Sequence, residues 1–162
     1  IPSALSTSLV PIAGQCIGRK NIKDARKLTK SFLVLGAVTF LIVDSLLLPF
    51  FNVGMKLFNP PEAVIPLIFQ IFLVYYVTRF LFWSFSFILP AALRAAGDAK
   101  FTTVVSMLSM WLYRVGMGYF LGIHLGFGLL GIFGVTASEW AIRGSIFYLR
   151  FRGTKWYENE LI

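Results

Sequence analysis

Residues 31–51 read SFLVLGAVTFLIVDSLLLPFF, and a single charged side chain, Asp44, interrupts them. A helix of about 20 such residues rises roughly 30 Å, the thickness of the hydrocarbon core of a bilayer. Stretches of the same kind recur along the chain. Residues 62–93, 101–121 and 128–149 each reach spanning length, and residues 1–17 form a shorter apolar segment holding Pro2 and Pro11. Pro60, Pro61 and the glycine-rich run 122–131 mark the breaks between them. This pattern predicts an all-α fold: a polytopic transmembrane helix bundle with about four full spans and one truncated span, followed by a tail over 150–162. Segment 62–93 is too long to stand upright, since about 30 residues make ~45 Å of helix. It must tilt, kink or project beyond the lipid, with Pro66 and Pro90 as candidate kink points.

Composition agrees with this reading. Hydrophobic residues make up 57% and charged residues 14% of the 162 positions, and mean hydropathy is +0.77. A soluble domain carries about a quarter of its residues charged, so these charges are too few to cover a water-facing surface. The formal charge of +8 would suggest nucleic acid in a soluble protein. Here the basic residues lie between apolar blocks and read as orientation signals, which argues against a nucleic-acid partner. The chain opens Ile-Pro-Ser inside an apolar segment, with no starting Met and no charged leader. It therefore reads as a fragment without a cleavable signal peptide.

Counting Lys and Arg between the segments gives an alternation. The first connection holds Arg19, Lys20, Lys23, Arg26, Lys27 and Lys30, the second Lys56, the third Arg94 and Lys100, the fourth none, and the tail Arg150, Arg152 and Lys155. Alternation of this kind follows the positive-inside rule, placing the first and third connections and the C-terminus in the cytoplasm. The expected location is a cell membrane, crossed several times.

The three remaining basic residues and two acids fall inside spans: Asp44, Arg79, Arg114, Glu139 and Arg143. A charge at the bilayer centre costs about 2.5–3.5 kcal/mol on insertion scales, so each needs a reason. Glu139 and Arg143 are spaced i, i+4 and share a helix face. An intrahelical structural charge pair is the preferred reading over a transport role. Asp44 is either an interfacial or paired structural acid or an ion-coupling group. Arg79, beside Tyr75, Tyr76, Thr78 and Trp83, is far from both ends of its span. It either pairs with an acid on another helix or lines a water-filled cavity and meets substrate. Arg114 is a structural partner for an acid on a neighbouring span. His124 has no companion at ligand spacing, so no metal site is expected, and one cysteine, Cys16, excludes an internal disulfide. No nucleophile, phosphate loop or clustered acids point to an enzyme.

Five stretches carry a resemblance. They are Gly14-Gln15-Cys16-Ile17-Gly18 followed by Ala25-Arg26, then Ala91-Ala92-Leu93-Arg94-Ala95-Ala96-Gly97-Asp98 and Trp111-Leu112-Tyr113-Arg114. Gly126-Phe127-Gly128-Leu129-Leu130-Gly131 and Glu139-Trp140-Ala141-Ile142-Arg143 complete the set. In this order the chain resembles the multidrug and toxic compound extrusion (MATE) family, in the C-terminal portion of its second lobe. The resemblance implies the last five of twelve helices. It also implies a transporter that exports organic compounds, often cations, in exchange for sodium ions or protons by alternating access. No other cofactor is implied, and the partners are a small-molecule substrate, the bilayer and the remaining N-terminal helices. The Arg94–Asp98 turn becomes a structural element, with Asp98 capping the next helix. Against the family pattern, no acid lies between Glu62 and Asp98, and mid-span stand Arg79 and Trp83. A central arginine suits an anionic ligand, which keeps open an alternative from the wider superfamily: a flippase for lipid-linked oligosaccharide or peptidoglycan precursors. The candidate substrate-binding residues are Arg79, Tyr75, Tyr76 and Trp83, with Asp44 the candidate for ion coupling.

Overall fold

Asn21 starts the first long helix. In the computed structural model, which describes residues 2–157, the Asn21 side chain accepts the Asp24 backbone N–H at 3.2 Å and donates to its carboxylate at 2.6 Å. That cap satisfies an orphan donor and sets an acid against the positive end of the helix. Helix α1 (Pro2–Gly18) therefore hands over to α2 (Ile22–Leu47) through a very short turn. Lys23, Arg26, Lys27 and Lys30 sit on the first turns of α2, ahead of the apolar span, and not in a loop. After α2, a 3₁₀ turn at Leu48–Phe50 carries Pro49 and leads into α3 (Phe51–Phe58), which Asn59 ends in the left-handed conformation at φ 44°.

The long third apolar block is two helices in line, α4 (Ile65–Thr78) and α5 (Ser84–Ala95), joined by a π-helical turn at Arg79–Trp83. The irregularity lies between the two prolines, not at them. Pro66 occupies the first turn of α4, where its missing N–H has no intrahelical partner to lose. A π turn widens the helix by one residue and re-aims the side chains on it, and Arg79 is its first residue. Helix α6 (Ala99–Leu108) runs into a second π-helical stretch, Ser109–Met117, and a third, Phe120–His124. Helix α7 (Gly128–Arg152) closes the bundle. Among the described residues there is no strand.

Three continuous helical stretches are long and apolar enough to cross a membrane: Ile22–Phe58, Glu62–Ala95 and Ala99–His124. Helix α7 has the length, at 25 residues, but carries Glu139 and Arg143 in its middle.

The turn between α5 and α6 shows how the sequence locks local geometry. Gly97 adopts φ 84°, where a Cβ would be strained. The N–H groups of Gly97 and Asp98 reach back to the carbonyls of Arg94 and Leu93, both at 3.0 Å, completing a Schellman motif. Asp98 stands at the N-cap position of α6, yet its side chain makes no cap bond. It accepts instead from Arg150 Nε at 2.8 Å and Nη2 at 3.3 Å. A forked guanidinium offers two charge-assisted bonds where a backbone amide offers one neutral bond, so the expected cap gives way to a tie between helices.

The core is concentrated at the basic end. Leu9, Ala13, Ile17, Leu33, Leu89, Leu93, Phe147, Phe151 and Trp156 form one buried cluster from α1, α2, α5, α7 and the tail. Helix α5 is central to it and packs against α7, α1 and α2. At Gly36 an added Cβ would stand 2.6 Å from Ile88 Cδ1 and 2.8 Å from Ser84 Oγ, so a glycine is what lets α2 approach α5. The opposite end is loosely covered, with Leu46, Leu47, Phe50, Val53, Leu57 and Phe58 all at least half exposed.

Candidate functional site

Five charges inside the spans resolve into two clusters. The first joins α2 to α4. Asp44 is 3% exposed, and its Oδ1 accepts from Arg79 Nη1 at 3.4 Å. That is long against the roughly 2.7–2.9 Å of a tight charged hydrogen bond. Its other oxygen, Oδ2, is buried with no hydrogen-bond partner. One residue along, Ser45 and Tyr76 share a hydroxyl hydrogen bond of 2.9 Å. Arg79 stands over the rings of Tyr75 at 5.5 Å and Phe40 at 5.8 Å. Its side chain stays 39% exposed.

Asp44, Tyr75, Tyr76 and Arg79 line a cavity of about 330 Å³ together with Ile68, Ile71, Phe72 and Phe133. That volume lies at the low end of the range for small-molecule pockets, roughly 300–1,000 Å³. The wall is apolar and aromatic, and its charged groups are Asp44 and Arg79. Tyr75 is fixed edge-on by Phe133 at 5.2 Å and Trp140 at 5.5 Å, both from α7. A second groove, about 360 Å³ between α5 and α7, is lined by Leu81, Phe82, Phe85 and Tyr148 among others. It has no charged group and offers no chemistry beyond packing.

The structure therefore brings together four of the residues singled out in the sequence: Asp44, Tyr75, Tyr76 and Arg79. Trp83 is not among the cavity residues. It stacks on Phe87 at 4.9 Å and meets Phe40 edge-on at 4.7 Å, one ring behind Arg79. It supports the wall from outside. The π turn accounts for this, because it shifts the positions after Arg79 off the face that Tyr75 and Tyr76 share. Phe40, Ser45, Phe72 and Phe133 were not singled out. A signal for two of them was present: Phe40 and Asp44 are four apart on α2, and Phe72, Tyr75, Tyr76 and Arg79 repeat at helical spacing.

The second cluster joins Ser109 and Arg114 to α7 and α5. Glu139 is fully buried, and both its oxygens are occupied. Oε1 accepts from Arg143 Nη1 at 3.0 Å and from Ser109 at 3.0 Å; Oε2 accepts from Arg114 Nε at 2.7 Å and from the same guanidinium's Nη2. Arg143 also donates to Ser86 at 2.7 Å and stands over Phe87 at 4.7 Å. Arg114 lies on the π-helical stretch Ser109–Met117, so each cluster draws one arginine from a π turn. The i, i+4 spacing foretold the Glu139–Arg143 contact; the second arginine makes it a triad.

Residues 1–120 match the MatE family model. Over 79 residues, 48% of this chain, the sequence is 47% identical to a protein from Bacillus subtilis (strain 168) named uncharacterized transporter YisQ, covering 17% of that relative. Over 132 residues, 81% of this chain, it is 26% identical to a probable multidrug resistance protein NorM from Bacillus licheniformis, covering 29% of it. The aligned chain thus spans less than a third of either relative. No solved structure gives a significant match.

Proposed function

This chain belongs to the MatE family of transporters, and from that premise we propose that it forms the C-terminal part of the second lobe of a secondary active transporter. The complete protein exports organic compounds, often cations, in exchange for sodium ions or protons. The observation that carries this reading is the half-satisfied carboxylate of Asp44. It is buried, held by Arg79 at 3.4 Å on one oxygen and unpartnered on the other, on the wall of an aromatic cavity.

A buried carboxylate in this state responds to a proton or a small cation. A coupling ion on Asp44 competes with Arg79 for the carboxylate, beside the Tyr75 and Phe40 rings on which the guanidinium rests. An ion that binds one conformation better shifts the equilibrium between them by its differential affinity. In alternating access the two lobes rock about a central site, and the occupancy of Asp44 sets which side is favoured. Tyr75 and Tyr76 supply faces on which flat or cationic compounds stack. Trp83 holds Phe40 in place behind them. The Glu139 triad takes no part in transport and fixes α7 to its neighbours. The C-terminus lies on the cytoplasmic side, as the Lys and Arg alternation directs.

A flippase for an anionic lipid-linked substrate is the second reading. Arg79 favours it, because it lines the cavity with a side chain that is 39% exposed and has one long carboxylate contact. A planar guanidinium binds phosphate with two parallel hydrogen bonds.

The test is energised efflux of cationic dyes by the complete transporter in a pump-deficient host, wild type beside Arg79→Ala. Efflux altered by the substitution supports the antiporter. A well-expressed protein that moves no such compound under a proton or a sodium gradient defeats that reading, and flipping of an anionic lipid-linked substrate is then the activity to assay.

A further inference from the structure

Three concavities at the basic end of the bundle meet on Lys30. The first, about 500 Å³, lies between α2 and α7 and is lined by Arg26, Lys30, Tyr148, Phe151 and Arg152. The second, about 570 Å³, adds Lys23, Asp24 and Lys27. The third, about 460 Å³, leaves the basic residues and runs down α2 along Ser31, Val34, Leu35 and Val38. Lys23, Lys27, Lys30, Val34 and Val38 follow one another at steps of three and four, so they share a face of the helix. That face changes from cationic to apolar within one turn after Lys30.

The charge here is one-sided. Lys23, Arg26, Lys27, Lys30 and Arg152 make no salt bridge among the described residues. The one carboxylate among the lining residues, Asp24, is already engaged by Asn21 at 2.6 Å. Arg26 is fixed, not free to drift: Nη2 donates to the Gly153 carbonyl at 2.8 Å and the guanidinium stands over Tyr157 at 5.6 Å. Its Nε is buried with no partner. Below the cations, Val34, Leu35 and Val38 are 64%, 49% and 40% exposed, in a helix apolar enough to span a membrane.

We propose that this surface is a binding site for an anionic phospholipid, with the phosphate among Arg26, Lys30 and Arg152 and an acyl chain along Val34, Leu35 and Val38. The occupant must be acidic at one end and apolar at the other over the ~12 Å of helix between Lys30 and Val38. Basic pockets between transmembrane helices at the membrane surface bind acidic headgroups in this way. A free phosphate satisfies the cations and leaves the apolar track unused. A zwitterionic lipid fills the track and wastes the charge. The site is separate from the Asp44 cavity and does not depend on the transported compound. Because Arg26 also holds Gly153 and Tyr157, lipid bound there fastens the tail against α2.

The test uses the complete transporter in a neutral detergent, titrated with phosphatidylglycerol, with phosphatidylcholine and with inorganic phosphate. Thermal unfolding and native mass spectrometry are the readouts. Phosphatidylglycerol is expected to raise the melting temperature by several degrees and to survive as a bound adduct; the other two are expected to do neither. Lys30→Gln with Arg152→Gln should weaken phosphatidylglycerol binding about 25-fold at low salt, since each basic residue near an anionic surface contributes about fivefold. Val34→Asp should weaken it with every cation in place. Equal stabilisation by phosphatidylcholine, or full binding by the double variant, overturns the proposal. A shift reproduced by inorganic phosphate alone overturns it too, in favour of a free-anion site. If the double variant does not fold, Lys30→Gln alone decides, because that side chain is exposed.

Discussion

Two buried carboxylates in this bundle are treated in opposite ways. Glu139 is closed: two guanidinia and a serine hydroxyl fill its oxygens, and nothing of it reaches solvent. Asp44 is as deeply buried but open, with one long contact, one unpartnered oxygen and a cavity beside it. A buried charge whose bonds are complete resists change, because every competing partner must displace one already there. A buried charge left incomplete is stored reactivity. The same residue chemistry is therefore closed in one place and left open in the other.

The largest effect expected is at the closed site. Glu139→Ala leaves the buried Arg143 guanidinium and the partly exposed Arg114 without their counter-charge and should cost about 3 kcal/mol, read as a collapse in melting temperature and folded yield. A variant that melts near the wild type would break the comparison. Next, Arg79→Ala should lower energised dye efflux about tenfold, ~1.4 kcal/mol in these terms, while the melting temperature moves far less than for Glu139→Ala. Equal losses of stability in the two variants would mean the pairs differ only in appearance. Asp98→Asn tests an intermediate case, a short forked pair between the buried Asp98 and a partly exposed Arg150. It should cost about 1 kcal/mol, since the asparagine still accepts a neutral hydrogen bond from Arg150 where the carboxylate took two charged ones, with transport retained; chemical denaturation checks this. The smallest effect is Ser45→Ala, which removes one interhelical hydrogen bond and should cost about 0.6 kcal/mol. A much larger loss would show that α2 and α4 are held at the cavity by more than Asp44.

How far the sequence anticipated these arrangements depended on the range of the interaction. Helical class follows from apolar blocks, which are local in the chain. The Glu139–Arg143 contact is also local, one helical turn, and was legible for that reason. The Asp44–Arg79 contact bridges 35 positions, and no periodicity in either helix says which charge meets which. Trp83 is a near neighbour of Arg79 in the sequence, and a regular helix would bring it, eight residues on from Tyr75, near the same face. The π turn that begins at Arg79 moves it off the cavity, and no proline or glycine announces that turn in Arg79–Trp83. Asp98 shows the same limit: its position after Gly97 marks a cap, and only the return of α7 supplies Arg150.

The central claim is that Asp44 serves transport and Glu139 serves the fold. The most direct test is proton-driven efflux of a cationic dye into everted membrane vesicles by Asp44→Asn, at matched amounts of folded transporter. The account predicts that efflux is lost while the melting temperature stays close to the wild type. An Asp44→Asn protein that transports at the wild-type rate, or one that fails to fold, would contradict it.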